Sequence, residues 1–192
     1  MPRIIAGDLG GRPIPGHASK GTRPTTDRVR EALFSRLDGW DAIGGAHVLD
    51  LYAGTGALAF ESLSRGARSA LLVEAHGASA QQLRRSAKAL GLDDRLEVRA
   101  ARTETVVEGM PRAGSGEGAH TGADLVFIDP PYEVTTEAVE SLLVALLPAL
   151  APEAVVVVER SSRTRPVTWP EGYADDGTKS YGETVLQYGG PA

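Results

Sequence analysis

Residues 125–134, LVFIDPPYEV, place a carboxylate and an aromatic ring on either side of a proline pair, directly after an apolar run. Proline fixes its own φ and offers no N–H, so Pro130 and Pro131 end a strand rigidly and add no donor to whatever lies nearby. Asp129 and the Pro130 carbonyl are then two acceptors in a donor-free turn. Such a turn suits an exocyclic amino group on a nucleobase, whose lone pair is delocalised into the ring and is a poor nucleophile. Acceptors aimed at its N–H groups localise the lone pair and stabilise the positive charge that develops when nitrogen takes a carbon. Tyr132 offers a face on which a splayed base can stack. The catalytic candidates are therefore Asp129, Pro130, Pro131 and Tyr132. A plain strand-ending turn is the simpler alternative.

A second constellation lies upstream. HVLDLYAGTGALAF, residues 47–60, carries Gly54-Thr55-Gly56 between an apolar run and a helix-prone stretch. Glycines there let a ligand approach the backbone, and the helix N-terminus adds positive potential. The looser dinucleotide pattern Gly-x-Gly-x-x-Ala also fits. Asp50 separates the two readings, because it stands four residues before Gly54. A carboxylate there repels a pyrophosphate but suits a ligand with an amino group and a sulfonium, such as S-adenosylmethionine (SAM). Glu74 ends the next apolar run, 18 residues past Gly56, where an acid can accept hydrogen bonds from ribose hydroxyls. The cofactor-binding candidates are Asp50, Tyr52, Ala53, Gly54, Gly56 and Glu74. A cap on the turn (Asp50) and an ordinary exposed acid (Glu74) are the structural alternatives.

These residues need elements to hold them. Apolar strand candidates run at 47–52, 69–74, 95–99, 124–129 and 154–159, with a further pair near 172–188, and helical stretches at 57–65, 77–90, 103–109 and 135–150. Alternation of nearly all-apolar strands with helices implies an α/β fold with a mostly parallel sheet covered on both faces. In such sheets ligands bind beyond the carboxyl ends of the strands at the switch in strand order, so Asp129 and the glycine turn should line one crevice. RIIAGDLGGRPIPG, near the start, reads as a β-hairpin. In the stretch after it, Thr26 or Asp27 can cap a helix whose Val29, Leu33, Phe34 and Leu37 lie at helical spacing. Residues 1–20 are thus expected as a hairpin extension and 21–192 as the main domain. The Gly/Ser-rich segment 109–123 is expected as a mobile surface loop.

The chain has 192 residues and no cysteine, which excludes disulfides, thiolate nucleophiles and Cys-based zinc sites. No metal is expected, because His17, His47, His76 and His120 show no ligand spacing. No leader peptide is evident, and no apolar run approaches the ~18 residues that span a bilayer, so a cytoplasmic monomer with no membrane partner is expected. The net charge is -5, yet residues 1–36 hold seven basic and three acidic side chains, a local excess of +4 that leaves -9 for the rest. A local basic patch matters more to a polyanion than the sum does.

With both motifs placed, the chain resembles the bacterial 16S rRNA (guanine-N2) methyltransferases of the RsmD type. The resemblance rests on RIIAG with Gly11-Arg12, RPTTDRVREALF at 23–34, LDLYAGTGALAFESLSRGA at 49–67, FIDPPY at 127–132 and YGET at 181–184. It implies a Rossmann-like SAM-dependent methyltransferase fold, with a seven-stranded sheet whose last strand is antiparallel. It also implies SAM contacts at Asp50, Gly54, Gly56 and Glu74, and a contact from Asp129 beside its catalytic part. Arg102 stands where relatives carry an acid, so it departs from the pattern at an expected cofactor position. The implied partner is 16S rRNA within a 30S particle, met by the basic N-terminal segment through Arg3, Arg12, Lys20, Arg23, Thr25, Thr26 and Arg28. For Thr25, Thr26 and Arg28, closure over SAM competes with rRNA contact. DNA adenine-N6 methylation is an alternative within the same chemistry, and a SAM-retaining RNA-binding module is the non-catalytic one.

Overall fold

A computed structural model describes residues 2–16, 27–114 and 122–192. Seven strands, β1 (His47–Leu51), β2 (Ser69–Val73), β3 (Leu96–Arg99), β4 (Ala123–Ile128), β5 (Leu150–Ser161), β6 (Tyr173–Tyr181) and β7 (Thr184–Pro191), form one sheet in the order β3-β2-β1-β4-β5-β7-β6. The first five pair in parallel, and β7, the last strand, runs antiparallel between β5 and β6. Edge strand β6 carries Asp175, Asp176 and Lys179 in a largely exposed stretch, charges that discourage pairing with another chain.

The helices are α1 (Asp27–Gly39), α2 (Ala57–Ser64), α3 (Gly77–Leu90), α4 (Thr103–Glu108) and α5 (Thr136–Leu146). The helical stretch expected to reach 150 leaves α geometry at Leu147 and closes as a 3-10 turn over Leu147–Ala149. Pro148 has no N–H to continue the α ladder. Seven of the fifteen residues of the 109–123 segment, 115–121, lie outside the described residues.

Strand residues alternate between two apolar layers. Val48, Leu72, Phe127, Val157 and Leu186 face α1, α2 and α3, whereas Leu49, Val73, Val126, Val156 and Val158 face α4 and α5. The result is a helix–sheet–helix sandwich.

The N-terminal residues form a narrow hairpin closed by an Arg3–Pro13 bridge, with Ile4 N–H donating to the Arg12 carbonyl at 2.9 Å. Ile4 and Ile14 are fully buried in the same layer as Leu33 and Phe34, so the hairpin shares the core of the main sheet. Its backbone is held by Glu61 of α2, a completely buried side chain. The Glu61 carboxylate accepts from Ile5 N–H at 2.6 Å, from Ala6 N–H at 3.0 Å and from Arg65 Nε at 2.7 Å. A buried carboxylate is tolerable only when donors surround it, and here two of the three come from the hairpin itself.

Candidate active site

The strand order reverses between β1 and β4, and everything with chemical potential gathers at their carboxyl ends. Register brings Asp50 opposite Phe127 and Leu51 opposite Ile128. The turn after β1 and the turn after β4 therefore begin side by side. Four acids share one phase of the alternation: Asp50, Glu74, Asp129 and Glu159 each stand two residues after Val48, Leu72, Phe127 or Val157 of a single apolar layer. Four of the five parallel strands, β1, β2, β4 and β5, thus each deliver one carboxylate to the same face of the same edge.

The turn after β1 is built on left-handed backbone: Tyr52, Gly54 and Gly56 have φ of 66°, 54° and 74°. A Cβ at Gly56 would come within 2.7 Å of Leu83 Cδ2 and of the Phe60 ring, so this glycine is set by packing beneath the turn. At Gly54 a Cβ would meet only the Tyr52 carbonyl, at 3.9 Å, so that face of the turn is open. Glu74 ties the turn to β2, accepting from Gly54 N–H at 3.0 Å and His76 N–H at 2.8 Å. Helix α2 starts behind the turn without a side-chain cap, leaving first-turn N–H groups and their positive potential at the crevice.

Asp50 is buried to 2% exposure. It takes a backbone hydrogen bond at Ala59, yet its Oδ2 has no partner among the described residues. Burial, opposed in part by the Ala59 bond and reinforced by the Glu74 charge, pushes its carboxyl up to about 8. A buried acceptor in this condition favours a cationic donor beside it. Asp129, at the end of β4, is likewise held well above the usual carboxylate range. Burial is the main cause, followed by the charges of Glu159 and Asp50, with Arg160 acting in the opposite direction. Beyond it Pro130 is buried and Tyr132 is 66% exposed. The turn closes through Val134 N–H to the Pro131 carbonyl at 3.0 Å, and Arg160 steadies it by donating to the Val134 carbonyl at 2.9 Å.

One cavity of about 1270 Å³ joins these parts, larger than the ~300–1,000 Å³ of a pocket for one small molecule. Of the residues singled out from sequence, Asp50, Tyr52, Ala53, Gly54, Glu74, Arg102, Asp129, Pro130, Pro131 and Tyr132 line it, while Gly56 lies beneath. Tyr52 directs its hydroxyl to Glu104 at 3.5 Å, and burial raises that phenol to about 12. Arg102 stands at the start of α4 with its side chain 78% exposed and Glu104 at 3.5 Å. Glu104 lines the cavity too, so an acid is present two residues after Arg102.

Pro2, Ile14, Pro15, Asp27 and Arg30 form another wall, so the hairpin and the start of α1 belong to the cavity. Arg3, Arg12 and Arg28 are exposed residues of those same segments, and Arg3 pairs with Asp27 at 3.4 Å. Lys20, Arg23, Thr25 and Thr26 lie outside the described residues. Sequence reasoning passed over Arg30, Glu159 and Arg160. Arg30 is almost fully buried, donating to the Arg3 carbonyl and to Asp27, both at 2.7 Å. Its signal was a charge at the apolar spacing of Leu33, Phe34 and Leu37. Glu159 had the same signal as Asp129, an acid directly after an apolar run.

The residues fit a SAM-like ligand: a buried carboxylate with one oxygen unpartnered among the described residues, an open glycine turn, and an acid at the end of β2. Fold and site together define the Rossmann-like SAM-dependent methyltransferase class. The family described as Conserved hypothetical protein 95 matches residues 2–189. The chain belongs to this family, the RsmD type. Ribosomal RNA small subunit methyltransferase D of Escherichia coli K12 is 40% identical over 131 residues, which cover 68% of this chain and 60% of that protein. The protein of the same name from Haemophilus influenzae is 32% identical over 171 residues, 89% of this chain and 84% of its own length. Among solved structures, the yhhF protein of Escherichia coli superposes with a TM-score of 0.80 at 31% identity, covering 98% of this chain and 97% of that one.

Proposed function

We propose that the protein transfers a methyl group from SAM to the exocyclic N2 of one guanine in 16S rRNA, on an assembling 30S particle. The observation that carries this reading is Asp129-Pro130-Pro131-Tyr132 lining one cavity with the buried carboxylate of Asp50, whose Oδ2 has no partner among the described residues. The names of the relatives support small-subunit rRNA as the substrate. Exposed Arg3, Arg12 and Arg28, on the segments that wall the cavity, suit a phosphate backbone, since a guanidinium fork pairs with phosphate bidentately.

When bound, the cofactor supplies an electrophilic methyl on a positively charged sulfonium. Asp50 accepts from the cofactor's amino group, Glu74 from its ribose hydroxyls, and the open face of Gly54 lets it lie against the turn. Asp129 and the Pro130 carbonyl accept the two N–H groups of the target amine and orient its lone pair. As nitrogen gains a fourth bond its acidity rises, and Asp129, held at a raised pKa, takes the surplus proton. Tyr132, exposed at the mouth, stacks on the extruded base. Holding amine and methyl in line supplies most of the remaining acceleration.

Nucleoside analysis of 16S rRNA from cells with and without the gene tests this directly. One N2-methylguanosine per 16S rRNA should disappear with the gene and return on complementation. An unchanged nucleoside composition contradicts the reading.

A further inference from the structure

Glu159 has no place in the mechanism above, yet the sheet sets it beside the reacting group. Strands β4 and β5 are parallel neighbours with Phe127 opposite Val157 and Ile128 opposite Val158. The next step of that register is Asp129 and Glu159. Both stand two residues beyond side chains of the same apolar layer, and both line the cavity. Arg160, one residue further on, is largely buried and donates to the Val134 carbonyl that ends the proline turn. Glu159 and not Arg160 therefore keeps step with Asp129.

Two adjacent carboxylates form an acceptor–acceptor pair, and nucleobases differ in what they present to one. Guanine offers contiguous donors, N2–H and N1–H. Adenine offers an amino group flanked on both sides by ring acceptors, N1 and N7. We propose that Glu159 is a specificity-determining residue that accepts from guanine N1–H while Asp129 holds the reacting N2. This rests on the guanine-N2 reading given above. The pair admits a base with two donors in a row and sets a carboxylate against a ring-nitrogen acceptor in any base without N1–H. That the Glu159 charge raises Asp129 shows the two groups to be electrostatic neighbours, and guanine's second donor relieves the repulsion between them.

An atom-swap experiment reads this directly. Wild type and Glu159→Gln are compared on two RNA substrates with guanine or 2-aminopurine at the target position. 2-Aminopurine keeps the N2 amine but has an acceptor at N1. The glutamine amide can donate to that nitrogen, which a carboxylate cannot. The guanine-to-2-aminopurine ratio of kcat/KM should fall by about tenfold or more in Glu159→Gln, because a site built to pair a polar group rejects the analogue that leaves it unpaired. Intrinsic reactivity of the two amines cancels in the comparison. Glu159→Ala, which loses the acceptor without gaining a donor, should compress the ratio as well and serves if the glutamine variant fails to fold. An unchanged ratio with both rates lowered in parallel overturns the assignment and leaves Glu159 a structural acid. If wild type forms no N2-methylguanosine, the guanine-N2 reading falls with it, and the product identity shows which has failed.

Discussion

Replacing Asp50 by Asn should remove a pH dependence that wild type carries in its folding free energy. The folded carboxyl is raised from 3.8 to about 8, so between those values the native state holds one proton that the unfolded state has lost. Stability from that proton is complete below pH 4 and drains away as pH rises through 8. The slope is about 1.4 kcal/mol per pH unit, flattening near the folded pKa. Wild type should therefore lose about 2 kcal/mol relative to Asp50→Asn between pH 6 and pH 8. Urea unfolding at pH 6, 7 and 8, followed by the fluorescence of Trp40 and Trp169, gives the difference. A cationic ligand beside the carboxylate reverses the cost, so SAM binding should expel a proton and tighten with pH in wild type only. A gap between the two proteins that stays constant over this range would refute the claim that Asp50 is a desolvated acid awaiting a cation.

Three further outcomes follow from contacts described above. Glu74→Ala should weaken SAM binding by about 1–3 kcal/mol in titration calorimetry, through loss of the ribose acceptor and of the tie to Gly54 N–H; unchanged affinity would remove Glu74 from the site. Glu61→Ala should destabilise the fold by about 3 kcal/mol or more in denaturant melts, since it strands two hairpin N–H groups and takes from Arg65 one of its two carboxylate partners, leaving Asp38, and a loss below ~1 kcal/mol would mean that Ile4, Ile14 and the bonds to Ser64 and Arg30 hold the hairpin without it. Tyr132→Phe should keep most of the methylation rate and Tyr132→Ala should lose it, because stacking needs only the ring; equal losses would assign the work to the hydroxyl.

The sequence made one half of this site easy to read and hid the other. Parallel strands covered on both faces are almost wholly apolar, so Asp50, Glu74 and Asp129 stood out as acids at the ends of such runs. Glu159 had the same signal and passed as the polar end of a strand, because nothing in the chain says that β5 lies beside β4. That adjacency comes from register, a long-range property. Glu61 and Arg30 sat at core spacing in helices, where a charge reads as a flaw in the apolar stripe. Their partners, backbone groups of Arg3, Ile5 and Ala6, are separated from them by 27 to 56 residues. The same distance explains the hairpin: two β-prone runs were visible, but the burial of Ile4 and Ile14 against α1 was not. Arg102 drew notice as a departure from the family, while Glu104 gained meaning only once helix α4 had placed it at the cavity.

Asp129 offers the most direct test of the whole account. Its carboxylate is assigned to the reacting amine and not to the cofactor's affinity, so the two must separate on substitution. Asp129→Ala should bind SAM within a few-fold of wild type by calorimetry. In single-turnover assays with 30S particles lacking the modification and methyl-labelled SAM, it should transfer methyl at least ~100-fold more slowly, the usual worth of one positioned proton acceptor or charge-stabilising group. Near wild-type transfer by Asp129→Ala, with N2-methylguanosine as product, would contradict the assignment of the proline turn as the catalytic centre.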